Sequence, residues 1–184
     1  RSSERNLYQQ VTDIYATSID YKKDTKLTRQ FFATVQNKMH VAAHGKTAAE
    51  LVYERADAKK PDMGLTNFKG NYITSDDVEV AKNYLSEEEL NVLNLIVSQY
   101  LDFAELQATR QKAMTMQQWI DKLDEFLKIS DSSVLVGAGK IKHEQAMVKA
   151  KREFKKYRDE EMRQLESDFD KAIKEIRTDN SNEA

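Results

Sequence analysis

The residues whose types and spacing could carry chemistry are His40 and His44, in the stretch QNKMHVAAHG at positions 36–45. They lie one helical turn apart and therefore share a helix face, which permits two ligands to one metal ion. No Glu follows the first histidine, so the zinc-protease motif is absent. A third ligand would have to come from Glu54, Asp57 or the loop that follows, and the sequence selects none of them.

Two further interpretations of the histidines stay open. In the first, His40 is a partly buried ring hydrogen-bonded at the edge of the core, and His44 sits favourably at the negative end of a helix. In the second, His40 acts as an acid or a base in a polar pocket without metal. The candidate residues for that pocket are Asn37, His40, His44, Glu54 and Asp57. We expect no cofactor, and a divalent metal ion at His40 and His44 is the alternative.

The composition excludes several classes of site and of protein. The 184 residues include no Cys, which rules out disulfides, thiolate zinc sites and a cysteine nucleophile. Lys and Arg number 29 against 31 Asp and Glu, and the net charge of −2 argues against a uniformly basic nucleic-acid binder. Because no apolar run approaches the ~20 residues that span a bilayer and no signal peptide opens the chain, we expect a cytoplasmic protein without membrane contact.

Hydrophobic periodicity predicts an all-α fold, since no alternation typical of β-strands competes with it. Capping boxes that begin at Thr47 and Ser86 mark helix starts, and Gly45 marks a helix end. The predicted helices cover residues 3–19, 25–44, 48–58, 75–85, 87–110, a segment that begins after Thr115, and 141–177. On the helix at 87–110, four apolar residues lie off the main apolar face and predict burial on several sides: Val92, Leu95, Leu101 and Leu106.

Residues 59–74 form the one long irregular segment and contain the only Pro and two of the five Gly. Loops of this length in compact domains are often functional or mobile. The stretch MGLTNFKG at 63–70 could close over a site at the histidines as a lid, although it has no glycine spacing typical of a phosphate-binding loop.

The predicted architecture is a compact multi-helix domain over residues 1–140, a long charged C-terminal helix over 141–178 and a frayed tail over 179–184. At 1.5 Å per residue the long helix spans about 50 Å, more than the width of the domain before it. Residues 149–158 carry six positive charges and one negative charge, whereas residues 159–170 carry six negative charges and one positive charge.

This charge pattern predicts how the long helix associates. Two copies that run antiparallel and cross near 158–159 would place each basic half beside an acidic half, with the apolar stripe as the seam. We therefore expect a homodimer through the 141–178 helix. Docking of this helix on its own domain is the alternative.

Seven sequence blocks, in order along the chain, resemble the RhuM family of bacterial virulence-associated proteins. They are YQQVTDIYATSIDY at 8–21, FFATVQNK at 31–38, TAAEL at 47–51, ERADA at 54–58, MGLT at 63–66, VAKNYL at 80–85 and YLDFAE at 100–105. The resemblance runs from the first residue to about residue 165 and fades in the charged final helix.

The resemblance implies an upstream half that looks like a helix-turn-helix or phage-antirepressor DNA-binding module. Since the first residue is Arg1 rather than Met, we expect this chain to be a piece of a longer protein with that half missing. The family has no established catalytic activity, so no catalytic residue is carried over from it. We expect an oligomerisation or partner-sensing module of a DNA-associated regulator; the alternative is a hydrolase or nuclease-like toxin with the histidine and carboxylate pocket.

Overall fold

The computed structural model describes residues 9, 12–13, 15–23 and 25–182, with side chains up to residue 175. This part of the chain is predominantly helical and contains no β-strand, which confirms the all-α prediction. The first predicted helix, over 3–19, lies mostly outside the described residues. Among those described, Gln9, Thr12, Asp13 and Tyr15 are helical, and residues 16–20 form turns and a bend.

The α-helices within the described residues are α1 (Lys26–His44), α2 (Ala48–Arg55), α3 (Glu87–Thr109), α4 (Met116–Ile129) and α5 (His143–Asn182). Three short 3-10 segments lie between α2 and α3, at Pro61–Gly64, Asp77–Glu79 and Ala81–Tyr84.

Three boundaries differ from the prediction. The helix predicted over 75–85 is two 3-10 segments, because Val80 between them has an extended backbone. Helix α2 ends at Arg55, three residues early, where Ala56 is also extended. Helix α5 runs on through the predicted frayed tail to Asn182, since its sequence offers no Gly or Pro to end it. No helix in the described part of the chain combines the length and apolar character needed to cross a membrane.

The helices begin where their caps predict. In each of three capping boxes the cap hydroxyl accepts an N–H from the first turn, and a side chain from that turn accepts the cap's own N–H. These boxes are Thr47 with Glu50, Ser86 with Glu89, and Thr115 with Gln118. Gly45 ends α1 with a φ of 85°, a left-handed conformation in which a side chain would be strained.

The core between α1, α3 and α4 is built on aromatic side chains. Tyr15 meets Phe31 edge-on at a centroid distance of 4.8 Å and meets Trp119 edge-on at 5.9 Å. The Tyr100 hydroxyl donates to the carbonyl oxygen of Trp119 at 2.7 Å, so α3 and α4 are joined by a hydrogen bond inside this cluster. Helix α2 packs mainly on α5.

Helix α3 is buried on one side, not on several. Of the seven residues on its predicted main face, Leu90 and Phe103 are half-buried. The other five are buried, namely Leu93, Ile96, Val97, Tyr100 and Ala104. The prediction of burial for the off-face residues was wrong. Of these, Leu101 is half-buried and the other three are exposed, namely Val92, Leu95 and Leu106. The sequence pattern counts apolar residues but does not show which neighbours are there to cover them.

The segment predicted as a lid belongs partly to the core. Met63 and Leu65 are buried, and the Thr66 N–H donates to the Asn83 carbonyl oxygen at 2.7 Å. Gly64 has a φ of 83° and lies so close to the Arg55 carbonyl that a Cβ would clash with it. Residues 63–66 are therefore fixed by packing and by hydrogen bonds.

A buried ammonium group joins three parts of the fold. The Lys38 Nζ lies 2.7 Å from Asp124 Oδ1 and donates to the Leu135 carbonyl at 2.9 Å. Lys38 is on α1, Asp124 is on α4, and Leu135 is in the connector that leads to α5. Because the lysine is buried, the carboxylate and the carbonyl take over the solvation that water would otherwise provide.

Asp124→Asn should lower the free energy of unfolding by about 2 kcal/mol, because it leaves the Lys38 charge buried without its counter-charge. Lys38→Met removes that charge altogether and should cost less. Urea unfolding followed by circular dichroism measures both variants. The control is Lys122→Ala, which breaks an exposed ion pair with Glu125 and should change the stability by under ~0.5 kcal/mol. An Asp124→Asn effect no larger than this control would contradict the interpretation.

Candidate functional site

The C-terminal turn of α1 places the two predicted histidines against each other. His40 Nδ1 lies 2.9 Å from His44 Nε2, and the rings meet edge-on. His40 is only 2% exposed and His44 is half-buried. The separation is that of a hydrogen bond in which one ring donates an N–H and the other accepts it.

Burial keeps both rings neutral near pH 7. Burial is the main cause that lowers the pKa of His40 to about 4, and the neighbouring His44 contributes a smaller part of this shift. Burial also lowers the pKa of His44, against the nearby Glu89 carboxylate, which raises it. His44 Nδ1 is buried without a hydrogen-bond partner. A buried acceptor without a partner is less costly than a buried N–H without one, which favours the tautomer in which His44 donates to His40.

An arginine and a glutamate next to the histidines form the strongest polar contact of this region. Arg55 binds Glu89 with both terminal nitrogens, each at 2.6 Å from a carboxylate oxygen, and also donates to the Tyr84 carbonyl at 2.7 Å. Hydrogen bonds from Arg55 lower the pKa of Glu89 to about 2. This pair ties α2 to the start of α3. The sequence predicted Glu89 only as a cap, and nothing in the chain's pattern paired it with Arg55.

The remaining predicted site residues are used elsewhere. Asn37 Oδ1 accepts the N–H of Ala48 at 3.1 Å and so supports the start of α2. Glu54 pairs with Lys46 at the surface, and that hydrogen bond lowers the pKa of Glu54. Asp57 Oδ1 accepts the N–H of Lys59 at 3.0 Å, a local turn contact. The structure therefore brings together only two of the five candidates, His40 and His44. The other three, Asn37, Glu54 and Asp57, each contact a different partner.

A metal site at His40 and His44 would need a third ligand, and the described residues place none beside the two rings. Among the residues that the structure describes, no group of three or more His, Cys, Asp or Glu is arranged to hold a metal ion. In this arrangement the two imidazole rings share one N–H proton in a hydrogen bond. Metal binding at His40 and His44 stays a prediction.

A surface cleft lies beside the histidines, between α2 and the start of α5. Its lining residues are Gly45, Lys46, Glu50, Tyr53, Glu54, Lys140, Ile141 and Lys149. Lys149 holds its ammonium 4.9 Å from the centre of the Tyr53 ring and contacts the Tyr53 carbonyl oxygen. Lys46 pairs with Glu54, and the Glu50 carboxylate accepts the backbone N–H of Lys140, so contacts in this cleft join α2 to the segment that leads into α5.

The first half of α5 docks on the domain. Ala146 and Ala150 are fully buried, and the Glu153 carboxylate accepts the N–H of Ala58 at 3.2 Å. Lys151 forms an ion pair with Glu79 at 2.9 Å. Much of the apolar stripe that the sequence offered as a dimer seam, at Met147, Ala150, Phe154 and Tyr157, therefore packs on this chain's own core.

The second half of α5 has no such cover. Met162, Leu165 and Phe169 are 54%, 64% and 66% exposed, and every described side chain from Arg158 to residue 172 is exposed. From Arg158 to Asn182 the helix extends over about 37 Å at 1.5 Å per residue. The structure thus combines docking of one half with exposure of the other, and we call residues 158–182 the arm.

The fold and these sites define an all-α protein whose last helix is half docked and half exposed. A family model described as the virulence protein RhuM family matches residues 1–166. The chain belongs to this family, which confirms the resemblance of its sequence blocks. No curated protein and no solved structure matches the chain significantly.

The histidine pair should make the protein less stable in mild acid. A lowered His pKa means that the unfolded chain binds more protons, so the stabilisation is complete above pH ~6.5 and is lost as the pH falls towards ~4. At about 1.4 kcal/mol per pKa unit, the loss from His40 approaches ~3 kcal/mol. His40→Asn keeps a polar atom near the Nδ1 position but cannot titrate, and should remove most of this loss.

Urea unfolding at pH values between ~7.5 and ~4.5 measures how the free energy of unfolding changes with pH. This range lies above the pH values at which carboxylates dominate that change. The comparison is the slope of stability against pH in the wild-type protein and in His40→Asn, and not the stability at any single pH. Equal slopes in the two proteins would show that His40 is not the group responsible.

Proposed function

We propose that this chain is the association module of a virulence-associated RhuM protein, through which a DNA-associated regulator oligomerises or senses a partner. The observation that carries the proposal is the arm, on which Met162, Leu165 and Phe169 form an exposed apolar stripe. Exposed stripes of large apolar side chains are typical of surfaces that bind other proteins.

The physical argument rests on how a helix of this kind is stabilised. In proteins most helix stability comes from packing an apolar face rather than from intrinsic helix propensity. The docked half of α5 obtains that packing from Ala146 and Ala150, whereas every described side chain of the arm up to residue 172 is exposed. A partner that covers the stripe would supply it, so the arm is suited to bind a protein surface.

Contact with DNA is assigned to an upstream half and not to this chain. The net charge of −2, and acidic residues that follow directly on the basic ones in α5, weaken the electrostatic attraction that DNA binding requires. The family resemblance is the support for an upstream DNA-binding module, and the proposed cytoplasmic location accords with that DNA-associated role. In this arrangement, the arm brings DNA-binding halves together or couples them to a partner.

The alternative, a hydrolase or a nuclease-like toxin, has less support. A general acid or base must reach its substrate, and His40 is 2% exposed and bonded to His44. Asn37 caps the start of α2, and Glu54 forms an ion pair with Lys46. Loss of a cellular phenotype in His40→Asn with folding intact would favour the enzyme.

The test compares the RhuM protein that carries both halves with a variant that stops after Arg158. Sequences selected from a random double-stranded DNA pool serve as the probe, and fluorescence anisotropy measures the affinity. Removing the arm should weaken binding at least ~10-fold, because linked DNA-binding units gain avidity when they associate. A variant that stops after residue 178 keeps the apolar stripe and should bind as the intact protein does. No DNA binding by the intact protein, or equal binding without the arm, would overturn the proposal.

A further inference from the structure

Helix α5 has two separate faces along its length. The docked face contains Ala146, Ala150 and Glu153. At 100° per residue, a second set of positions is rotated by about 90° to 170° from this face and is exposed. This outward face consists of Val148, Lys151, Lys155, Arg158, Met162, Leu165 and Phe169.

The outward face repeats at the spacing of a coiled coil. Its positions alternate steps of three and four residues from Val148 to Phe169, so they form one seam that drifts by about 20° per heptad around a straight helix. The seam runs across the boundary between the docked half and the arm. Docking therefore leaves most of this surface exposed, although Lys151 also pairs with Glu79 of its own domain.

Charge divides this seam into two blocks of opposite sign. Its docked half is flanked by exposed Lys and Arg, at Lys151, Arg152, Lys155, Lys156 and Arg158. Its arm half is flanked by exposed carboxylates, at Asp159, Glu160, Glu161, Glu166, Asp168 and Asp170. The apolar side chains lie mostly in the acidic block. A surface that fits this arm is therefore basic, and the docked half of the same helix in a second copy is such a surface.

We propose that α5 of one chain pairs with α5 of a second copy, antiparallel and through the outward face, with the crossing between Arg158 and Asp159. Residue 155 then faces residue 162 of the second copy, residue 151 faces residue 166, and residue 148 faces residue 169. This inference rests on the proposed function, because it names the partner of the arm.

The geometry selects this pairing over other pairings of two copies. A parallel pair would set the acidic block of one helix against the acidic block of the other. An antiparallel pair of arms that crosses at Phe169 would do the same, because Asp168 would then face Asp170. In the antiparallel pair, Val148 covers Phe169, and the aliphatic part of Lys155 covers Met162 while its ammonium stays in water. The ion pairs are exposed, so the affinity should fall as salt rises.

The absence of Cys from the chain permits a direct test by disulfide formation. Sedimentation of the 184-residue chain at tens of micromolar should show a dimer. In Lys155→Cys with Met162→Cys, the two cysteines of one helix are about 10 Å apart, too far to bond within the chain. Oxidation should therefore yield a covalent dimer on a non-reducing gel.

The single variant Met162→Cys is the matched control. In the antiparallel pair its two copies lie about 10 Å apart along the helix axis and should stay unlinked. A parallel pair would bring them together and link them. A monomer in sedimentation, or cross-linking of the single variant as efficient as that of the double variant, overturns the proposal.

Charge exchange tests the register independently. Lys151→Glu and Glu166→Lys should each weaken the dimer at least ~10-fold by placing like charges face to face, and the two changes together should restore dimer formation. The exposed Lys151–Glu79 pair within the chain is lost in both variants that carry Lys151→Glu, so it does not account for a difference between them. Lys171→Glu makes the same charge change as Lys151→Glu on the opposite side of the helix and should have little effect. Circular dichroism checks that each variant folds. A double variant as weak as the singles overturns the register.

The two proposals can fail separately. If sedimentation finds only monomer while removal of the arm still weakens DNA binding, the second copy is the wrong partner and the association module stands. If the dimer forms but DNA binding does not depend on the arm, the pairing stands and the proposed function fails.

Discussion

The docking of α5 is the constraint on which the rest of the structure depends. Ala146 and Ala150 are fully buried, and such small side chains let the helix approach α2 closely. Glu153 adds a hydrogen bond to the backbone at Ala58. Once this face is covered, the rotation of a rigid helix determines the direction of every later side chain. The exposed stripe of the arm is therefore a consequence of contacts that lie several turns earlier.

Polar side chains hold α2, the helix on which α5 packs, against the rest of the domain. Arg55 and Glu89 hold α2 against α3, while His40 and His44 fill the adjacent space as neutral rings. Neutral histidines cost less to bury than charged ones, and the paired arginine keeps the Glu89 charge compensated. This cluster resembles an active site in composition, yet its groups are bonded to one another. Within it, the Arg55–Glu89 pair connects α2 to α3.

Local chemistry explains which predictions were accurate. The boxes at Thr47, Ser86 and Thr115 act within a single turn, so their helix starts follow from neighbouring residues alone. The same holds for the Gly45 helix end and for the two histidines, which share a face because they are four residues apart. Contacts between distant residues were not predictable in this way. Arg55 and Glu89 are separated by 34 residues, and no local pattern links them.

The sequence by itself determined most of the α-helices, their starts at capping residues and the two charge blocks of α5, since each depends on residues within a few positions of one another. Only the tertiary structure decided which apolar faces are covered. It left Leu95 of α3 exposed, placed Met63 in the core and turned the stripe at Met162 outward. The physical reason is that periodicity shows that a face is apolar, whereas burial depends on a neighbour that the chain brings from elsewhere.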